Sequence, residues 1–247
     1  MMETEQEIFM KEEENDEMEK FYENEMKKLK VDTIKLENNI QKLQNSQNEL
    51  IILIESGSFA PPHKMHVGLM EKAKKYIEEN YNNRKVVGGF IIPSSDQYVK
   101  HKLGKDFISL KHRINMTNLI IKDNDWLESL DWGWAYGEEI KEVLDRILKK
   151  KFPYLKNIKT LLVFGIDYYL RNRTDMKNEH VCVYRPGYDI QKAKAMYPQN
   201  LIFVEGEDED INSTSIRKAI KEKNEEIIKK LTNEEVYNYI KNNDVFN

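Results

Sequence analysis

A chain of 247 residues with 33% charged side chains and a mean hydropathy of −0.73 is too polar for an integral membrane protein. Its longest apolar runs, such as Ile51–Ile54, fall far short of a bilayer span. The net charge of −4 is uneven: residues 1–25 carry two basic and eleven acidic side chains, whereas residues 48–247 carry 32 basic and 30 acidic. That near-neutral balance excludes the strong basic field of a nucleic-acid binder.

Residues 1–47 contain no Gly or Pro, and their apolar residues (Met18, Phe21, Met26, Leu29, Ile34, Leu36, Ile40, Leu43) recur at a loose helical spacing without a heptad. They are expected to form a charged helical or partly disordered extension, with residues 48–247 as the folded domain. Glu and Lys stud the first thirty residues, so no secretory leader is expected, and the expected location is the cytoplasm or nucleus.

From Glu49 the texture changes. Leu50–Ile54 is a short apolar run suited to a parallel strand buried on both faces. A turn through Glu55–Pro62 leads to a helix over Lys64–Asn80, carried by Met65, Leu69, Ala73, Tyr76 and Ile77. Lys85–Ile92 predicts a second strand, broken by Pro93–Ser95. Helices are predicted over Ile108–Ile121 and Tyr136–Lys150, and strands over Lys159–Phe164, His180–Tyr184 and Leu201–Val204. An acidic loop precedes a helix from about Thr214, and Asn233–Asn242 predicts the last helix. Cys182, the single cysteine, lies within a strand, where it is expected to be a small core residue rather than a nucleophile; a chain with one cysteine suits a reducing compartment.

Strands alternating with helices predict an α/β fold, a doubly wound parallel sheet of about five to six strands. Ligands bind such sheets outside the carboxyl ends of the strands, and the distinctive residues here concentrate there. Gly57-Ser58-Phe59 ends the first strand, where a glycine lets backbone approach a ligand. His63 and His66 stand three apart at the following helix start, where free N–H groups favour an anion. Taken alone, this pair could equally be two surface histidines; a metal site is disfavoured because no Cys or acidic partner lies at ligand spacing. Asn212-Ser213-Thr214-Ser215-Ile216-Arg217 offers three hydroxyls and an arginine at a helix N-terminus. One hydroxyl suffices for an ordinary cap, and the surplus fits a phosphate cradle with a planar cationic partner.

These residues resemble a known family. Gly-Ser-Phe-x-Pro-x-His-x-x-His and Ile-x-Ser-Thr-x-Ile-Arg are similar to the nucleotidylyltransferases with the [H/T]xxH signature, and within them to the nicotinamide/nicotinate mononucleotide adenylyltransferases. The likeness runs in family order over roughly residues 50–243, through Ile92–Lys100, His112-Arg113, Trp126, Phe164–Asp167 and Val183–Gly187. The resemblance implies a Rossmann-like domain that transfers AMP from ATP to nicotinate or nicotinamide mononucleotide, with Mg²⁺ accompanying ATP and pyrophosphate leaving. It implies catalytic roles for His63, His66 and Arg217. It implies ATP or phosphate contacts from Gly57, Ser58, Phe59, Gly165, Asp167, Ser213, Thr214, Ser215 and Ile216. Mononucleotide contacts fall to Tyr98, Lys100, Trp132, Trp134 and Arg185, with Tyr136 a further aromatic that could stack on the ring.

The partners so implied are ATP and a pyridine mononucleotide, with no nucleic acid or membrane; a homo-oligomer stays open. His101 and His112 are expected to be structural. The chain departs from the family at Ala60, where Asn or Asp is usual, and lacks a Leu-x-x-Trp segment after Gly-x-Asp. Two other readings stand beside this one: the same chemistry on another phosphorylated acceptor, and a non-catalytic scaffold or chaperone acting through the acidic N-terminal helix.

Overall fold

A computed structural model describes residues 33–43, 47–133, 137–171, 178–197, 199–207, 211–243 and 245. Six strands form one sheet: β1 (Glu49–Gly57), β2 (Arg84–Pro93), β3 (Leu127–Ser129), β4 (Ile158–Gly165), β5 (His180–Tyr184) and β6 (Leu201–Glu205). Their order is 3-2-1-4-5-6 and each neighbouring pair is parallel. This is the doubly wound, Rossmann-like arrangement that the alternation of elements predicts. Strand β3 has only three residues, too few for an alternation to stand out in the sequence, and it completes the edge beside β2.

Each sheet face has its own core. Ile51, Leu53, Ile91, Val163 and Val181 pack against Met70, Ala73 and Ile77 of α2 (Lys64–Asn80). Ile52, Ile54, Phe90, Leu162 and Cys182 face Ile140, Val143, Leu144 and Leu148 of α5 (Gly137–Lys151). Strands covered on both sides need no polar alternation, which is why Ile51–Ile54 read as an unbroken apolar run. Burial pushes the Cys182 thiol up to about 12, as befits a core residue. Trp132 is 1% exposed within the second of these cores.

The order of the strands reverses between β1 and β4, which opens a crevice at their carboxyl ends. A third apolar cluster closes one side of it. Val99 of α3 (Asp96–Leu103), Met116 of α4 (Leu110–Ile120), Ile216 and Ala219 of α8 (Ser213–Lys221), Ile228 of α9 (Glu225–Leu231) and Val236 of α10 (Glu234–Asn242) enclose Ala60 from the loop after β1. Two short helices, α6 (Ile166–Arg171) and α7 (Gln191–Met196), flank β5. No helix among the described residues is long and apolar enough to cross a membrane.

The segment before β1 is not all solvated. Helix α1 (Ile34–Gln41) buries Leu36 and Ile40 in the α5-side core, and Lys35 donates to the carbonyls of Asn124 and Leu127. The Leu36 side chain occupies the space over Gly88, where an added Cβ would meet Leu36 Cδ1 at 2.9 Å. A composition-based boundary at residue 47 therefore passes behind a helix that belongs to the core. Leu36→Ala should lower the unfolding free energy by about 2–4 kcal/mol, the range for an apolar truncation that leaves a cavity. Ile34→Ala, on the same helix but 64% exposed, should change it by less than about 0.5 kcal/mol. Urea unfolding of the two variants checks this, and equal effects would place α1 outside the core.

Candidate active site

The chain leaves β1 through a tight turn whose geometry positions everything after it. Phe59 has φ +44°, a left-handed conformation that costs a bulky residue on the order of 1 kcal/mol or more. Its ring is buried and folds back over Gly57, where a Cβ would stand 3.3 Å from it. The turn is fixed from three sides. Ser94 N–H donates to Gly57 O (2.8 Å). The fully buried Arg113 guanidinium donates to Ser58 O (3.1 Å), Ile108 O (2.9 Å) and Asp96 Oδ1 (2.9 Å). From α8, Arg217 Nη1 donates to Ala60 O (2.9 Å) and Ser213 Oγ to Pro61 O (2.9 Å).

His63 then caps α2. Its backbone N–H donates to His66 Nδ1 (3.1 Å), and the two rings stack at 3.6 Å, with Phe59 edge-on to His66 at 4.7 Å. Because Nδ1 of His66 is the acceptor, its neutral ring carries the proton on Nε2. Burial, then the neighbouring His63, holds the His66 pKa well below the usual value. Burial, then the charge of Arg185, lowers His63 from 6.5 to about 4. Both rings are thus neutral near pH 7, and His66 is a donor without being a cation.

Two cavities meet at His66. The smaller, about 160 Å³, is an apolar slot between α2 and the ends of β5 and β6, lined by Gly68, Leu69, Val183, Tyr188 and Ile211 and edged by Arg185. Gly68 lies inside α2, where glycine costs about 1 kcal/mol relative to alanine. A Cβ there would meet no atom within 4 Å, so the glycine keeps this slot open rather than relieving a clash. The larger, about 850 Å³, runs between the ends of β1 and β4 and helices α3 and α6, and contains Glu55, Gly57, Ser58, Phe59, Phe164 and Tyr168. Leu69, Gly165 and Asp167 join His66 on both walls.

The larger cavity has a cationic side. Lys102 Nζ donates to Ser58 Oγ (3.1 Å) and lies 5.7 Å from the Tyr98 ring centroid. Partial burial and the charges of Arg171 and Arg217 hold its pKa below the usual value. Helix α3 explains which residues face inward. Tyr98, His101 and Lys102, at i, i+3 and i+4, line the cavity, whereas Lys100 falls on the outer side and is exposed. Of the two lysines, the structure thus brings Lys102 into the cavity and leaves Lys100 outside it. His101 lines the cavity too, while His112 is held structurally by Tyr239 OH at 2.9 Å. Helix α3 is not among the elements predicted from the sequence; Ser95 caps it, its side chain accepting from Tyr98 N–H.

The remaining expected residues divide. Asn212 is the cap of α8, accepting from Ser215 N–H (2.9 Å) and Ser215 Oγ (3.2 Å), and Thr214 Oγ1 accepts from Arg217 (3.0 Å). The hydroxyls of this motif thus serve the helix and the loop first. Ile216 is fully buried in the third cluster, so its side chain stays out of both cavities. Arg217 lines neither of these two cavities, but it is anchored to the loop that forms one wall. Arg185 edges the smaller cavity, not the one that holds Tyr98. Trp132 sits in the core instead of lining a cavity, because the apolar residues around it bury its ring completely. Trp134 and Tyr136 lie outside the described residues. Among the described residues no group of three or more His, Cys, Asp or Glu could hold a metal ion. Glu55, Gly68, Lys102 and Arg171 line the cavities without having stood out in the sequence.

The cytidylyltransferase-like family model matches residues 54–219. The chain is 37% identical over 90 residues to nicotinamide/nicotinic acid mononucleotide adenylyltransferase 1 of Bos taurus, which is 36% of this chain and 30% of that protein. It is 35% identical over 82 residues to the corresponding enzyme 2 of Xenopus tropicalis, covering 33% of this chain and 25% of the relative. These matches span less than a third of the relatives' own length. A solved structure of a candidate nicotinate-nucleotide adenylyltransferase from Vibrio parahaemolyticus aligns with a TM-score of 0.48 at 16% identity, over 79% of this chain and 94% of that one.

The buried histidines make stability depend on pH. An unfolded His63 takes a proton near 6.5 and the folded one near 4, so the unfolded state binds more protons between these values and stability falls as pH is lowered through that window. His63→Gln should flatten the fall between pH 6.5 and 4, leaving the share contributed by His66. Urea unfolding at several pH values measures it; an unchanged slope would mean that His63 protonates freely in the folded protein.

Proposed function

The chain belongs to the cytidylyltransferase-like family, whose fold implies nucleotide substrates, and on that premise we propose that it transfers the adenylyl group of ATP to a pyridine mononucleotide. The observation that carries this reading is the junction of two unlike cavities at a neutral, donating histidine. The smaller slot, walled by aliphatic side chains, Tyr188 and the open face at Gly68, suits a flat purine. Asp167, at the junction, can accept from ribose hydroxyls. The larger, more polar cavity suits a mononucleotide, with Ser58, Lys102 and Arg171 for its phosphate.

The reacting phosphorus belongs where the cavities meet. A phosphate monoester is largely dianionic near pH 7 and needs no strong base, so catalysis rests on alignment and charge. An oxygen of the mononucleotide phosphate attacks the α-phosphorus of ATP as the α–β bridging bond breaks, and pyrophosphate leaves with the electron pair. His66 Nε2–H donates to a non-bridging α-oxygen, and the first turn of α2 points its N–H groups the same way. Arg217, held against Ala60 O, adds positive charge on the side of α8. Mg²⁺ would be carried in by the triphosphate, whose oxygens commonly supply its ligands together with water. When bound, the ion neutralises charge on the leaving pyrophosphate.

Pyrophosphate release from ATP and Mg²⁺, with nicotinate or nicotinamide mononucleotide offered separately, tests the reaction. Release with neither acceptor from folded protein would remove it. His66→Ala should lower kcat by about 10²–10³, the usual effect of deleting one donor to a transition-state oxyanion, read on protein shown to be folded because the change also frees the His63 N–H. Gly68→Val should leave the fold intact and raise the KM for ATP at least about tenfold, about 1.4 kcal/mol of lost binding; a KM shift confined to the mononucleotide would reverse the assignment of the two cavities.

A further inference from the structure

One buried acid is used by neither the fold nor the transfer chemistry. Glu55 follows Ile51 and Leu53 on the α2 face of β1, in register with Ile91 of β2. It is 5% exposed, and it makes no hydrogen bond or ion pair among the described residues; Oε2 is enclosed without a partner. A carboxyl so placed is costly unless something completes it, and burial alone holds this one well above the usual carboxylate range. The residue lines the larger cavity and not the smaller. Leu or Met at the same position would fill the space without an orphaned oxygen.

The rest of that cavity narrows what the carboxyl is for. Lys102 and Arg171 offer positive charge to an anion. Phe164 and Tyr168, stacked at 4.0 Å and 17°, offer aromatic surface, which attracts cations. The cavity therefore provides for both signs of charge. A pyridine mononucleotide carries both, an anionic phosphate and a positively charged ring nitrogen.

We propose that Glu55 is the counter-ion of the pyridinium ring, so that the larger cavity selects an acceptor with a phosphate at one end and a cationic ring at the other. This rests on the mononucleotide reading above. The carboxyl that is unpaired in the empty cavity gives up to water any proton that burial holds on it and becomes paired when the ring arrives, and a neutral ring forfeits that gain.

The test compares nicotinamide mononucleotide with its reduced form, whose dihydropyridine ring is uncharged, by kcat/KM for pyrophosphate release from the full chain. The wild-type protein should prefer the oxidised acceptor by on the order of tenfold or more, as one charge pair in a partly desolvated site allows. Glu55→Gln and Glu55→Met, both neutral and close in length, should each lose most of that preference, so either variant suffices if the other does not fold. A wild-type protein without the preference, or variants that keep it, would overturn the proposal. So would an equal loss with both acceptors and an altered Mg²⁺ requirement, which would assign Glu55 to the metal. Absence of release with either acceptor in the wild-type protein would instead remove the mononucleotide reading itself.

Discussion

The site depends on the turn that links β1 to α2. Its backbone is in a conformation that Phe59 would not choose, with φ +44°, and it holds only because its carbonyls are taken up one after another: Gly57 by Ser94, Ser58 by Arg113, Ala60 by Arg217 and Pro61 by Ser213. Four donors from three distant parts of the chain converge on one short loop. The local strain is small beside what the surrounding contacts contribute together, and the outcome is a fixed entry angle for α2. That angle stacks His63 on His66 and turns His66 Nδ1 toward the backbone, which leaves Nε2 as the donor.

Charge is arranged around this turn by separation. The two histidines can stack at 3.6 Å because burial keeps both neutral; a pair of imidazolium rings at that distance would repel. The permanent cations stand further out, Lys102 and Arg171 on one cavity and Arg185 on the other. Arg185 serves the arrangement twice, since its charge also helps to keep His63 unprotonated. A phosphate at the junction would find a neutral donor at its centre and cations around it, which favours charge that moves during a reaction over charge that is merely held.

Much of this was legible in the sequence because it follows from patterns a few residues long. The apolar run Ile51–Ile54, the helical spacing from Met65 to Ile77 and the strand ending in Gly165 gave the alternation of strands and helices, and the strand ends located the crevice. What escaped was of two kinds. Short elements carry too few residues for a period: β3 has three residues, and α3 has eight directly after the Pro93 break, so Lys102 could not be distinguished from Lys100 until the helix fixed which of them faces inward. Long-range packing leaves no local mark either. Leu36 and Trp132 are core residues because of what lies opposite them, and nothing in their immediate neighbours separates a helix on the sheet from a solvated one, or a packed indole from a stacking one.

The motif after β6 shows how residues that suit a ligand can also hold the fold together. Three hydroxyls and an arginine read as a phosphate cradle, yet Asn212, Ser213 and Arg217 each have a structural partner: a helix end, Pro61 O and Ala60 O. These partners do not compete with a binding role. Arg217 keeps a buried Nε without a hydrogen bond, and its nearest carboxylate contact, Asp106 at 3.8 Å, is too long for one. An arginine anchored by its Nη groups has already lost most of its rotamer freedom, so an anion reaching it incurs little further entropy. Tying the loop to α8 thus builds the wall of the site. Ala60 completes the arrangement: a polar side chain there would be buried among Ile216, Val99 and Ile228, and the contact that fixes Arg217 needs only the backbone carbonyl.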